Sequence, residues 1–137
     1  MQRLWDLAHA LEVRSKRMGR TRGVTVLQLL VIRVLGRAPD STASEISAAL
    51  GMDPSTLTGV LKRLETQRMI HRKADRADRR RARFQLTSGG RAIDRERRGT
   101  VEAAVRRTLN RRDAGAIEAT LETLELLTSE LIRSDGA

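Results

Sequence analysis

The residues best placed to do chemistry are cationic and crowded. Between Lys62 and Arg83 ten lysines and arginines stand against three acidic residues, an excess of seven in a chain whose whole excess is +10. Just upstream, Asp53 to Lys62 read DPSTLTGVLK, a helix start whose outer face is short and hydroxylated. Guanidinium and ammonium groups neutralise phosphates, and short hydroxylated side chains let a helix lie close to bases and backbone. A helix N-terminus adds a favourable field for the same anions. The combination points to nucleic acid. Catalysis would ask for something else: carboxylates clustered on a metal, a His–Lys pair in a cleft, a glycine-rich phosphate loop or an activated nucleophile. Asp75 and Asp78 are close in sequence, but they stand among arginines that neutralise them. Cysteine is absent, and His9 and His71 are the only histidines, without ligand-like partners, so no metal, thiol chemistry or cofactor is expected.

These residues need elements to carry them. Thr42-Ala43-Ser44-Glu45 has capping-box spacing, with Thr42 as cap and Glu45 reaching back. The short helix that follows buries Ile46, Ala49 and Leu50 and ends at Gly51 in a left-handed turn. Asp53 caps the next helix, with Pro54 in its first turn, where no amide donor is missed. Leu57, Val60, Leu61 and Leu64 form its buried stripe, leaving Ser55, Thr56, Thr58, Gly59, Lys62 and Arg63 outside. Two short helices across a Gly51-Met52 turn make a helix-turn-helix, whose second helix enters a groove. From Ile70 to Ala74 and from Arg81 to Leu86 the apolar period drops to two, with Ala82, Phe84 and Leu86 alternating against Arg81, Arg83 and Gln85. That is a hairpin, and a hairpin after a helix-turn-helix is a wing. An arginine run is often only a solvated loop, but one this dense repels itself unless a polyanion neutralises it.

The flanks are helical. Leu4, Trp5, Leu7, Ala8, Leu11 and Met18 share one stripe of a first helix that stops around Gly19 to Gly23. A second, covering about Val24 to Gly36, is apolar on most sides and is expected at the centre of the domain. After the wing, Thr87 starts a helix whose repeating face (Ile93, Arg97, Val101, Ala104, Val105, Leu109), apolar except at Arg97, runs on as one element. Asp113 caps a last helix with Ile117, Leu121, Leu124, Leu127 and Leu131 opposite Glu118, Glu122, Glu125 and Glu130. From Ala114 onward five acidic residues face one arginine. Such a helix is unsuited to DNA and reads as a dimerisation arm, pairing with the first helix and its copy in a second subunit.

The totals agree. A chain of 137 residues with 39% hydrophobic residues supports a modest core of Leu, Ile, Val, Ala and Met. The pI of about 11.5 suits a polyanionic partner. A proteome rich in arginine explains the choice of Arg over Lys, which occurs only at 16, 62 and 73, but not its clustering. No signal peptide is visible, and the run Val24 to Leu35, broken by Gln28 and Arg33, is too short to span a bilayer. A cytoplasmic protein without membrane contact is expected. The competing class is a sequence-neutral nucleoid- or RNA-associated basic protein. RNA modules add aromatic stacking platforms, whereas Trp5 and Phe84, the lone Trp and Phe, are both expected in the interior.

Element order and motifs together resemble the multiple-antibiotic-resistance regulator (MarR) family. The likeness rests on the Thr42-to-Leu50 helix and on Ser55-Thr56-Leu57-Thr58 leading to Arg63-Leu64-Glu65. Arg72 entering the wing, Asp78-Arg79-Arg80 at its tip, and Leu86-Thr87 followed by Gly90 complete it. The resemblance covers nearly the full chain. It implies a mainly α fold with a small β-hairpin wing. A winged helix-turn-helix DNA-binding region would occupy 24–87, with dimerisation helices at 1–19 and 88–134. It further implies a homodimer on a pseudo-palindromic operator in double-stranded DNA, usually a repressor released by a small-molecule effector. By the same resemblance Ser55, Thr56, Thr58 and Lys62 face the major groove, and Arg80, with Arg79 as its rival, probes the minor groove. Asp78 holds the wing, Arg72 contacts the backbone at its base, and Arg81 joins the DNA contacts. Thr42 and Ser44 offer phosphate contacts. Gly59 departs from the family's usual longer, often basic side chain; it allows close backbone approach at about 1 kcal/mol of helix propensity. The scarcity of aromatic residues tells against a flat aromatic effector.

Overall fold

The computed structural model describes residues 1–75, 78, 81–96 and 99–134. They form two compact units, Met1–Thr100 and Val101–Ala137. The first holds α1 (Gln2–Arg22), α2 (Val26–Arg37), β1 (Ser41–Thr42), α3 (Ala43–Leu50), α4 (Pro54–Thr66), β2 (Ile70–Ala74), β3 (Ala82–Leu86) and α5 (Ser88–Arg95). The second holds α6 (Val101–Leu109) and α7 (Ala114–Ser134).

Within the first unit α2 is the hub. Val31, Ile32 and Leu35 on α2 meet Ile46 of α3, Leu57, Leu61 and Leu64 of α4, and Ile70, Phe84 and Leu86 of the hairpin in one buried cluster. The helix is less uniformly apolar in its setting than its composition suggests: Leu27 is exposed, while Gln28 and Arg33 are buried. Both polar residues are fully engaged, as buried polar groups must be. Gln28 completes a capping box with Thr25, donating its backbone N–H to the Thr25 hydroxyl and accepting the Thr25 N–H. Its side-chain amide also donates to Gln67, whose own amide donates to the Gly23 carbonyl. This chain of amides fixes the end of α4 against the α1–α2 junction.

Arg33 reaches the C-terminal end of α5, donating to the carbonyls of Ile93, Asp94 and Glu96 and pairing with the Asp94 carboxylate at 3.0 Å. A side chain at Gly36 would collide with that carboxylate. The capped end of α5 corrects the expectation of one helix from Thr87 to Leu109. Glu96 leaves the helical conformation and Gly99 takes a left-handed one, so the stretch divides into α5 and α6. The apolar rhythm continues across a break because period alone carries no stop signal.

The wing hairpin has the expected strands, with Ile70 opposite Leu86 and Ala74 opposite Ala82. A third strand that no run of residues announces, the two-residue β1, adds to β3 with Ser41 opposite Phe84. Trp5 corrects another expectation: it is 67% exposed. On α1 only Met18 is buried, and Leu4, Leu7 and Leu11 lie open. In the second unit Leu121, Leu124 and Leu131 of α7 are exposed as well. Asp113 caps α7 as expected, accepting the Ala116 N–H at 2.9 Å.

Candidate nucleic-acid interface

The two helices of the helix-turn-helix start as their sequences dictate. The Thr42 hydroxyl accepts the Glu45 N–H, and the Glu45 carboxylate accepts the Thr42 N–H at 2.6 Å. The Thr42 backbone N–H, then its hydroxyl, hold the Glu45 carboxyl below the usual carboxylate range. Gly51 closes α3 in the left-handed region, with the Met52 N–H returning to Ser47. Asp53 then caps α4 through one carboxylate oxygen shared by the N–H groups of Ser55 and Thr56 and the Ser55 hydroxyl. These bonds, the Ser55 hydroxyl first, depress its pKa.

On the solvent side of α4 lie Ser55, Thr56, Thr58, Gly59, Lys62 and Arg63, all exposed. Thr58 turns its hydroxyl back to the Pro54 carbonyl at 2.8 Å. The first two turns of this face therefore present low relief, and long cations begin only at Lys62. Gly59 sits amid it with open space around its missing side chain. Nothing inside the chain requires glycine there.

Between α3, α4 and the hairpin runs a groove of about 760 Å³. Thr42 and Ser44 form one wall, Thr58 and Lys62 another, and Arg72 and Arg81 the third. Six sequence-expected residues on three walls thus share one surface, which Glu65 also lines. Ser55, Thr56 and Gly59 lie on the exposed face of the same recognition helix rather than on the groove walls. Arg79 and Arg80, the two candidates for the minor groove, lie outside the described residues.

At the wing Asp78 pairs with Arg81 at 3.5 Å and donates its backbone N–H to Asp75 Oδ1 at 3.2 Å. Asp75 is the buried carboxylate of the pair, only 6% exposed. Its other oxygen meets Arg83 Nε, and its N–H donates to the Arg81 carbonyl at 3.0 Å, closing the hairpin. Arg83 Nη1 continues to the Asp40 carbonyl at 2.9 Å. Asp40 holds a left-handed backbone (φ 64°) just ahead of β1, and its carboxylate accepts from the Gln85 amide. Gln85 Oε1 in turn faces His71 at 3.0 Å and accepts from Lys73 at 2.8 Å. Asp40, Asp75, Arg83 and Gln85 were not singled out as site residues by sequence. Strand alternation puts Arg83 and Gln85 opposite the core, where a solvated side chain is the ordinary outcome, and no local signal joins them to Asp40.

Comparison with known proteins fits this geometry. The family model described as MarR family matches residues 22–81, the span from the end of α1 to Arg81. Over that span the chain is similar to the MarR family. FabT of Streptococcus pneumoniae, solved in complex with DNA, is 26% identical with a TM-score of 0.68, covering 96% of this chain and 97% of that one. The S. aureus MepR–DNA complex superposes with a TM-score of 0.77 at 19% identity, over 93% and 94% of the two chains, a likeness of fold. The HTH-type transcriptional regulator TtmR of Methylorubrum extorquens (strain PA1) is 39% identical over 70 residues, 51% of this chain. That match spans only 36% of TtmR itself. Among the described residues no group of three acidic, His or Cys side chains is placed to hold a metal, and no helix is long and apolar enough to cross a membrane.

Proposed function

We propose that this chain is a transcriptional regulator, not an enzyme, that acts in the cytoplasm and binds double-stranded DNA as a homodimer on a pseudo-palindromic operator. The observation that carries the reading is the groove in which the start of α3, the exposed face of α4 and the wing cations meet. In this reading Ser55, Thr56, Thr58, Gly59 and Lys62 approach the major groove, with Gly59 admitting the closest contact. Thr42, Ser44, Arg72 and Arg81 take phosphates, and Arg80 or Arg79 enters the minor groove. Phosphate contacts set register and affinity, while base edges supply the choice of sequence.

Dimerisation through the terminal helices is supported by the apolar side chains they leave open, Leu4, Leu7 and Leu11 on α1 and Leu121, Leu124 and Leu131 on α7. Each set recurs at helical spacing, and an exposed apolar stripe marks a surface that a second copy can cover. Repression relieved by a small-molecule effector is the mode of action drawn from the family resemblance.

Selection of bound fragments from genomic DNA, followed by footprinting, tests the proposal. Two protected half-sites about one helical turn apart, roughly 34–36 Å, are expected. Uniform protection regardless of sequence would favour the sequence-neutral binder instead. The exposure of Trp5 lends that second reading one observation, but Trp5 lies on α1, not on an element that lines the groove.

A further inference from the structure

We propose that Arg83 is a positioning residue and not a phosphate contact: it clamps the wing to the body of the winged helix, with Asp75 and Asp40 as the two jaws. The inference rests on the DNA-binding reading above and adds to it how the wing is held in place. In a span with seven more cations than anions, every arginine invites assignment to phosphate. Arg83 instead directs Nε to the Asp75 carboxylate and Nη1 to the Asp40 carbonyl. A guanidinium suits this work because its planar fork fixes two acceptors at once.

Both jaws bear marks of the arrangement. Asp75 is buried despite its charge, and a buried carboxylate persists only where donors surround it; Arg83 and the Asp78 N–H are two of them. Asp40 takes a left-handed backbone, which among residues with side chains Asp and Asn adopt most readily. That conformation accompanies a carbonyl bonded to Arg83 and a carboxylate bonded to Gln85. One jaw roots the hairpin. The other belongs to the turn that leads directly into β1 and the Thr42 cap of α3. The clamp thus fixes the distance between two walls of the groove, the one bearing Arg72 and Arg81 and the one bearing Thr42 and Ser44.

The sign of one substitution separates a clamp from a simple charge. Removing the Asp75 carboxylate makes the surface more positive, so electrostatics alone dictates tighter DNA binding; the clamp dictates weaker binding. With a duplex selected by the full-length wild-type chain, Asp75→Asn and Arg83→Gln are each expected to lose about tenfold in affinity, a loss typical of a charge-assisted contact. The double variant should lose no more than Arg83→Gln alone, because that substitution already removes the Arg83–Asp75 pair. Arg83→Lys should recover part of the loss. Footprints of the variants should fade at the minor-groove steps given to the wing while the major-groove centre stays protected, a pattern that general unfolding does not produce. Asp75→Asn binding as tightly as wild type, or tighter, would overturn the clamp.

Amide exchange without DNA decides the matter independently. The variants should speed exchange at the amides of Asp75 and Arg81 and leave α2 unchanged. If the wild type selects no preferred duplex, the regulator reading fails and the exchange result still judges the clamp. Unaltered hairpin exchange in both variants would refute it.

Discussion

The recognition helix and the wing face the same groove but are held by opposite means. Along α4 the polar bonds are local: Asp53 to Ser55 and Thr56, Thr58 to Pro54, Thr66 to Lys62. In the hairpin they cross the chain, joining Arg83 and Gln85 to Asp40 and Arg83 to Asp75. An element whose exposed polar face is bonded only within itself leaves the residues of that face at liberty to be chosen for a partner. An element built at long range keeps its face only while distant residues hold, so several of its cations serve structure. Charge density alone therefore overstates how many wing arginines can reach DNA.

The contrast can be broken at its strongest point first. Arg33 is the extreme long-range residue, buried on α2 and engaged with the end of α5. Arg33→Ala leaves the Asp94 carboxylate and the α5 carbonyls without this donor, and a cost of about 3–5 kcal/mol is expected from denaturant melts. A loss below about 1 kcal/mol, the scale of an exposed pair, would show that the end of α5 is held elsewhere.

A local cap should cost less. Thr42→Ala is expected to destabilise by about 1 kcal/mol, since one N-cap hydroxyl is lost. Its effect should be additive with substitutions on α5, which shares no partner with it.

Gly59→Ala sharpens the comparison by moving two properties in opposite directions. Open space around Gly59 predicts a gain of about 0.5–1 kcal/mol in folding stability from helix propensity, together with weaker operator binding. Binding unchanged in gel-shift titrations would remove position 59 from the DNA contacts. Lys62→Ala should lower affinity and reduce the salt slope of binding by about one if Lys62 meets a phosphate.

The smallest effect expected is with pH. Glu45 and Asp53 have depressed pKa values in the folded chain. Their contribution is therefore present at neutral pH and lost as pH falls below the ordinary carboxylate range of about 4 and through the folded values. Asp53→Asn keeps a capping oxygen that does not titrate, so the stability gap between wild type and variant should narrow between pH 7 and pH 3. A gap independent of pH would show that the Asp53 charge contributes nothing.

The same division explains what the sequence made legible. The caps at Thr42, Asp53 and Asp113, the glycine stop at Gly51 and the hairpin period are local patterns, and all appear in the structure. So does the grouping of Thr42, Ser44, Thr58, Lys62, Arg72 and Arg81 around one groove. What escaped was nonlocal. The strand Ser41–Thr42 forms because β3 is there to receive it. Gln28 and Arg33 interrupt an apolar run yet are buried, because their partners Gln67 and Asp94 arrive from distant elements. The division of 88–109 into two helices depends on a left-handed Gly99 and on the Arg33 contact, and apolar spacing registers neither. Trp5 was expected inside because it is large and apolar, but the chain alone leaves it exposed. Arg68 completes the lesson in miniature: it takes the left-handed position after α4 (φ 55°), where glycine is usual, and the Met69 N–H closes the turn onto Leu64.

The most direct test of the account is a ratio. The purified chain should be titrated, at one fixed salt concentration, with its selected duplex and with a mixed-sequence duplex of equal length. The account predicts affinity at least about 10³-fold higher for the selected duplex, the lower end for sequence-specific regulators. A ratio near one would contradict it, leaving a basic protein that holds DNA without reading it.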